Sequence, residues 1–279
     1  MRRAIKVGIV LGALVTACGG EPAATSEPPA TEATPPPSSA PPSSAPPPTT
    51  TTPTAEEAVH AVMEGHYSRA RSVHDALVRA DMDQARADMA WIATHQEGNA
   101  LPADVQPLLA AMQEEASHFA DATTLTEAGT TVGRMLVRCG ACHTQTNGGP
   151  EVAETPIPEG DSPEARMRRH QWAADRMFDG LLTANAETFR SGNEALTSAP
   201  LTQDELPATA GQPEDQVVTL TTHVRDLGAE AAAATDDESR ASIYGRYIAT
   251  CGACHRLLEG GIPEGLRVPE AAQGAAATH

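Results

Sequence analysis

Four of the chain's five cysteines stand in two copies of one pentapeptide, Cys139-Gly-Ala-Cys142-His143 and Cys251-Gly-Ala-Cys254-His255. Each copy follows a Gly-Arg pair at the same distance, Gly133-Arg134 in one case and Gly245-Arg246 in the other. No other feature narrows the fold so far, because two thiols three positions apart with an imidazole adjoining have few chemical uses. A structural zinc site needs four ligands, so each cluster would have to find a fourth elsewhere or share with its copy. A redox dithiol of the thioredoxin kind sits where a strand runs into a helix N-terminus, which lowers the thiol pKa; these pairs instead close helical runs. Disulfides within each pair would leave both histidines and the duplication unexplained.

The pattern C-x-x-C-H is the attachment sequence of c-type haem, in which both thiols add to the haem vinyl groups and the adjacent imidazole becomes an axial ligand of the iron. It predicts two covalently attached haem c groups, on Cys139 and Cys142 and on Cys251 and Cys254, with His143 and His255 as the proximal iron ligands.

The duplication extends beyond the pentapeptide. At an offset of 104 positions (170 − 66), Met63, His66, Ala70, Val73 and Leu77 fall on Met167, His170, Ala174, Met177 and Leu181. Both sets step by three and four residues, which puts every member on one face of a helix. β-Branched runs are short, and helix-forming residues dominate. Ser162-Pro163-Glu164 reads as a helix start, and Thr124 to Glu127 and Thr235 to Glu238 fit the capping box. The fold class is therefore all-α, expected as two tandem up-down four-helix bundles, each with its own core and a C-terminal haem motif. Helices are predicted at 55–80, 82–97, 103–121 and 124–142, then at 163–184, 186–198, 213–233 and 236–254. The first haem-binding bundle spans 55–147, a linker 148–161, the second bundle 162–268 and a flexible tail 269–279.

A helical bundle of this size whose last helix ends in C-x-x-C-H resembles the class II c-type cytochromes, the cytochrome c-prime type, here in tandem. The resemblance implies that the first helix of each unit supplies the distal face of the haem. In keeping with it, no methionine follows His255, so the far side of the second iron must be served from upstream. His66 and His170 are the candidate distal ligands, Met63 and Met167 the alternative, and an open iron the third possibility. Arg134 and Arg246 stand one or two turns before the cysteines, where they could pair with haem propionates; ordinary solvated arginines are the competing reading. His60, His74, His95, His118 and His223 have no histidine at the matching place in the other unit, which suggests surface or local roles. With three Phe, three Tyr and two Trp, bulky core residues are scarce.

The first residues set the compartment. Arg2, Arg3 and Lys6 precede an apolar run too short to span a bilayer, and Val15-Thr16-Ala17-Cys18 resembles a bacterial lipobox. Residues 1–17 are thus expected to be a lipoprotein signal peptide and Cys18 the lipidated residue. Residues 18–54, rich in Pro, Ser and Thr, read as a disordered tether. The implied location is a bacterial cell envelope, anchored by lipid and facing the periplasm. Gly19, where an aspartate would signal inner-membrane retention, leans toward the outer membrane. A net charge of −18 argues against nucleic acid and for basic redox partner proteins, or simply for solubility. The expected role is a dihaem electron carrier passing single electrons between periplasmic or membrane redox partners. The alternative is a haem protein with open distal sites that binds small gases or reduces peroxide, and a third reading is a tethered docking subunit. Oligomeric state is not legible.

Overall fold

The structure is a computed structural model that describes residues 54–95, 101–198 and 214–257. The predicted leader, Cys18, the tether up to Pro53, and the tail at 269–279 lie outside the described residues. Within them the chain is all-helical, with eight α-helices and no strand. They are α1 (Ala55–Val78), α2 (Met82–Thr94), α3 (Gln106–Ser117), α4 (Leu125–Thr146), α5 (Pro163–Leu182), α6 (Ala186–Ser198), α7 (Glu214–Ala233) and α8 (Asp237–Leu257), with one 3-10 turn at His118–Asp121.

Local sequence explains most of the helix starts. Thr124 and Glu127 form the expected capping box at α4, and Thr54 with Glu57 forms another at α1. Ser162 caps α5, with Pro163 in its first turn. At α8 the expected Thr235 to Glu238 box does not form. Asp236 caps the helix instead, accepting from the Ser239 backbone N–H at 2.8 Å, and Glu238 turns away to Arg134 on α4. The pentapeptides also sit deeper in their helices than the sequence suggests. α4 runs on to Thr146, where left-handed Asn147 (φ 51°) stops it, and α8 runs on to Leu257.

Helices consecutive in sequence pack side by side, as short connections require, but the most extensive pairing joins α4 to α8 across the two repeats. Glycine makes this possible. A Cβ on Gly129 would lie 2.3 Å from the Gly245 carbonyl oxygen, and one on Gly133 would lie 2.4 Å from that of Ala241. The pentapeptides are offset by 112 positions (255 − 143), and this offset carries Gly129 onto Ala241 and Gly133 onto Gly245. Each contact therefore maps onto the other, as across an approximate two-fold axis. α1 and α5 meet through side chains across the same approximate axis, with Arg71 bound to its own counterpart, Asp175, at 2.8 Å.

The core follows this crossing. Val73, Leu77, Met89, Met135 and Leu136 of the first repeat and Met177, Phe178, Leu181 and Ile248 of the second belong to one buried cluster. The expectation of a separate core for each repeat thus gives way to a shared one. The few aromatics are spent here: all three phenylalanines, with Tyr244 and Tyr247, are fully buried.

Gly129→Ala should destabilise the protein by roughly 1–3 kcal/mol, because backbone, not a movable side chain, blocks the new methyl. Gly65→Ala should instead stabilise it by about 0.5–1 kcal/mol, since its Cβ would meet only the Trp91 side chain at 3.4 Å. Chemical denaturation of both variants checks the pair of signs.

Candidate cofactor-attachment sites

Helical periodicity brings each pentapeptide together. Three and four positions along a helix lie on one flank, so Cys139 meets Cys142 and His143, and Cys251 meets Cys254 and His255. All four thiols are free and partly exposed at the residue level. Burial pushes the Cys139 and Cys251 thiols up to about 12, and the second cysteine of each pair adds to the shift. Burial raises Cys142 and Cys254 as well. A redox-active dithiol requires the opposite shift. Among the described residues no group of three or more His, Cys, Asp or Glu side chains is placed to hold a metal ion.

The histidines behave differently from the thiols. Burial lowers the pKa of His143 and of His255, partly offset in each by a hydrogen bond to a backbone carbonyl. His143 Nδ1 lies 2.8 Å from the Leu182 carbonyl oxygen, and His255 Nδ1 lies 2.7 Å from that of Val78. A carbonyl can only accept, so Nδ1 carries the proton in both rings and Nε2 keeps its lone pair. A neutral imidazole, oriented through Nδ1 with Nε2 free to ligate, is the form that binds iron.

Both carbonyls come from the other repeat. Val78 ends α1, Leu182 ends α5, and the two are again 104 positions apart. Glycine permits the approach: a Cβ on Gly252 would lie 2.4 Å from the Leu77 oxygen, and one on Gly140 would lie 2.4 Å from that of Leu181. Just beyond, Ala80 (φ 58°) and Ala184 (φ 52°) take left-handed backbone to turn the chain. His143 has an additional support. Gly149 (φ 114°) brings the linker so close that its Cβ would sit 2.8 Å from the imidazole Cγ.

The second site opens on a cleft lined by Met167 and His170 of α5, Cys251, Cys254 and His255 of α8, and Val78 of α1. The two distal candidates and the attachment residues thus border one space. Tyr247 ties them further, its buried hydroxyl donating to the His170 carbonyl at 3.1 Å and reaching the Cys251 thiol.

In the first repeat His66 is equally buried, at 8% exposure like His170. Its Nδ1 donates to the Val62 carbonyl at 3.0 Å. Its ring lies edge-on to Trp91 and His95, which stack on each other with centroids 3.8 Å apart. Met63 packs against the core, partly buried. Position 195, which matches Trp91, is alanine, so the surroundings of His66 and His170 are not equivalent.

Other expectations meet different partners. Arg134 pairs with Glu238, and Arg246 with Glu230. His60 and His118 are exposed, and His223 is half-buried. His74, expected in a surface or local role, is fully buried and bonded to the Tyr244 hydroxyl. Sequence reasoning missed Gly149, Tyr247 and the two carbonyl partners. The small-residue spacing of Gly129, Gly133, Ala241 and Gly245 could have signalled the crossing that brings the carbonyls in. Neither protein-family models, curated proteins nor solved structures give a match to this chain.

If the last turn of α8 rests on α1 as described, Gly252→Ala should speed backbone amide exchange at Arg79 and Ala80, in the other repeat. An alanine placed in a helix without that contact would stabilise it by about 1 kcal/mol. Hydrogen exchange read by mass spectrometry distinguishes the two outcomes.

Proposed function

We propose that this chain is an envelope-anchored dihaem c-type cytochrome of the tandem class II kind, passing single electrons between periplasmic or membrane redox partners. The observation that carries the reading is the duplicated placement of the attachment residues. Each pentapeptide stands in the last turns of a helix, its histidine neutral and oriented through Nδ1 by a backbone carbonyl, and in the second repeat it borders the same cleft as Met167 and His170. Covalently bound haem would supply reversible one-electron chemistry at this position. The chain's own part is to hold: the cysteines fix the group, His143 and His255 present Nε2 to its iron, and α1 and α5 close the distal side with His66 and His170. The repeat is organised as two four-helix bundles, α1 to α4 and α5 to α8, fused along α4 and α8.

The remaining elements of the reading come from sequence. Lipid on Cys18 and the tether at 18–54 would hold the helices off a membrane surface, in keeping with the outer membrane. Among the described residues no helix is long and apolar enough to cross a membrane. The strong negative charge favours basic redox partners over nucleic acid. Basic partners of this kind would be found by the steep salt dependence of their association.

The test is direct. Mature protein produced with a cytochrome c maturation system should carry the mass of two covalent haems, falling to one in Cys251→Ala with Cys254→Ala. Reduced protein should leave its spectrum unchanged by carbon monoxide if histidines fill both distal positions. A His170→Ala variant should then bind carbon monoxide at one haem only. Binding at both haems in the unsubstituted protein would favour the gas-binding or peroxide-reducing alternative over the carrier.

A further inference from the structure

Where side chains of α1 and α5 meet, the structure gathers a half-buried cluster of charged groups around the fully buried His74 and Tyr244, and neither candidate attachment site uses it. Asp175 of α5 sits at its centre. Its carboxylate accepts from Arg71 of α1 at 2.8 Å and from Gln171 at 3.2 Å, and lies 3.4 Å from His74 Nε2. His74 is fully buried, with Nδ1 2.7 Å from the Tyr244 hydroxyl of α8 and its ring edge-on to Phe178. Asp179 follows Asp175 by one helical turn on the same face, a like-charge spacing that is unfavourable when both are ionised. From α1 the cluster is faced by Tyr67, Arg71, His74 and Asp75, from α5 by Asp175, Arg176 and Asp179, and from α8 by Tyr244.

Three carboxylates, Asp75, Asp175 and Asp179, face Arg71, Arg176 and His74, and Arg176 leans away over the Trp172 ring, donating to the Ala153 carbonyl in the linker. Two carboxylates one helical turn apart relieve their mutual repulsion when one of them holds a proton. Asp179 is the group placed to do so: burial, together with the Asp175 charge, pushes its carboxyl up to about 6, against the opposing pull of Arg71, Arg176 and His74. Asp175 is held low by its bonds to His74 and Arg71, which outweigh its burial.

The cluster lies between the two candidate sites. Along its own helix Tyr244 is seven residues from Cys251, His74 eight from His66 and Asp179 nine from His170, which is roughly 10–14 Å in each case at about 1.5 Å per residue. A unit charge about 12 Å away changes proton affinity by roughly tenfold at an effective dielectric near 20.

We propose that this cluster is a proton-accepting site that couples proton uptake to electron uptake at the two cofactors. The proposal rests on the carrier reading. A haem held at either site that took one electron from a redox partner would gain one unit of negative charge. One proton moves from solvent onto an Asp179 carboxylate oxygen, forming an O–H bond and offsetting the added negative charge; no other bond breaks. Oxidation releases the same proton. Asp179 is half-buried and Asp175 is 31% exposed at its side chain, so the path to water is short.

Redox titration of the full-length holoprotein between pH 5 and 8 tests this, with haem content confirmed by mass. Midpoint potentials should fall as pH rises through the Asp179 range, by at most about 59 mV for each tenfold drop in proton concentration. Asp179→Asn, close in shape but unable to titrate, should flatten that dependence. The infrared difference spectrum of the unsubstituted protein should show a protonated carboxyl band appearing on reduction, and the variant should lack it. Equal pH slopes in the two proteins overturn the proposal, as does a reduction spectrum of the unsubstituted protein with no carboxyl gain, which needs no variant to fold. A chain carrying no covalent haem overturns the carrier reading and this coupling together, whereas a haem-bearing chain with pH-invariant potentials overturns the coupling alone.

Discussion

The contact on which the rest of the molecule depends is backbone against backbone, where α4 crosses α8 at Gly129, Gly133, Ala241 and Gly245. Helices with ordinary side chains at the crossing would pack at about 8–10 Å between axes; side chains larger than these would hold the pair apart. Three glycines and an alanine remove that spacer, and the two repeats come together around their last helices. Everything else is then placed by geometry. The pentapeptides lie at the C-terminal ends of the crossed pair, so each reaches the C-terminal turn of the first helix in the opposite repeat. Gly140 and Gly252 make a second pair of close approaches there, and His143 and His255 find Leu182 and Val78.

The same placement decides the chemistry of the thiols. Burial disfavours the charged thiolate and pushes the Cys139 and Cys251 thiols up to about 12. Left to themselves these cysteines are poor nucleophiles and poor redox partners. The histidines are held neutral by the same burial that keeps the thiols protonated, so one environment prepares both kinds of group.

What the sequence made legible was whatever repeats locally. Helical periods, the Thr124 and Ser162 caps and the alignment of His66 with His170 depend on residues within a few turns of each other, and the helices stand within a few residues of their expected ends. The contacts between repeats were not legible in the same way. Gly129 and Gly245 look like ordinary helix-weakening glycines until they are placed opposite each other. Asp236 defeats the expected cap at Thr235 because Glu238 is taken by Arg134, a partner 104 residues distant. His74 was set aside because position 178 is phenylalanine, yet the two meet across the approximate two-fold axis, where a matching residue is not required to be identical. Of the candidate sites, the C-x-x-C-H spacing is plain in the sequence; the carbonyls that meet His143 and His255 are backbone atoms and leave no mark on it.

A duplicated unit in contact with itself begins symmetric, and its departures from symmetry show where the two halves have come to differ. At the centre, Arg71 and Asp175 occupy matching positions with opposite charge, so the two repeats bind through a pair that neither could form with an identical copy of itself. On the distal sides, Trp91 and His95 stack beside His66 while the matching place in the second repeat holds only Ala195. Two haems attached alike but differently surrounded would differ in polarity and access, which are the terms a protein uses to separate reduction potentials. Under the carrier reading, the common crossing holds the sites at a constant separation while the unlike distal faces set the direction of the step between them. An electron moving within such a protein would be guided by a difference that the fold keeps in place rather than by motion of one half against the other.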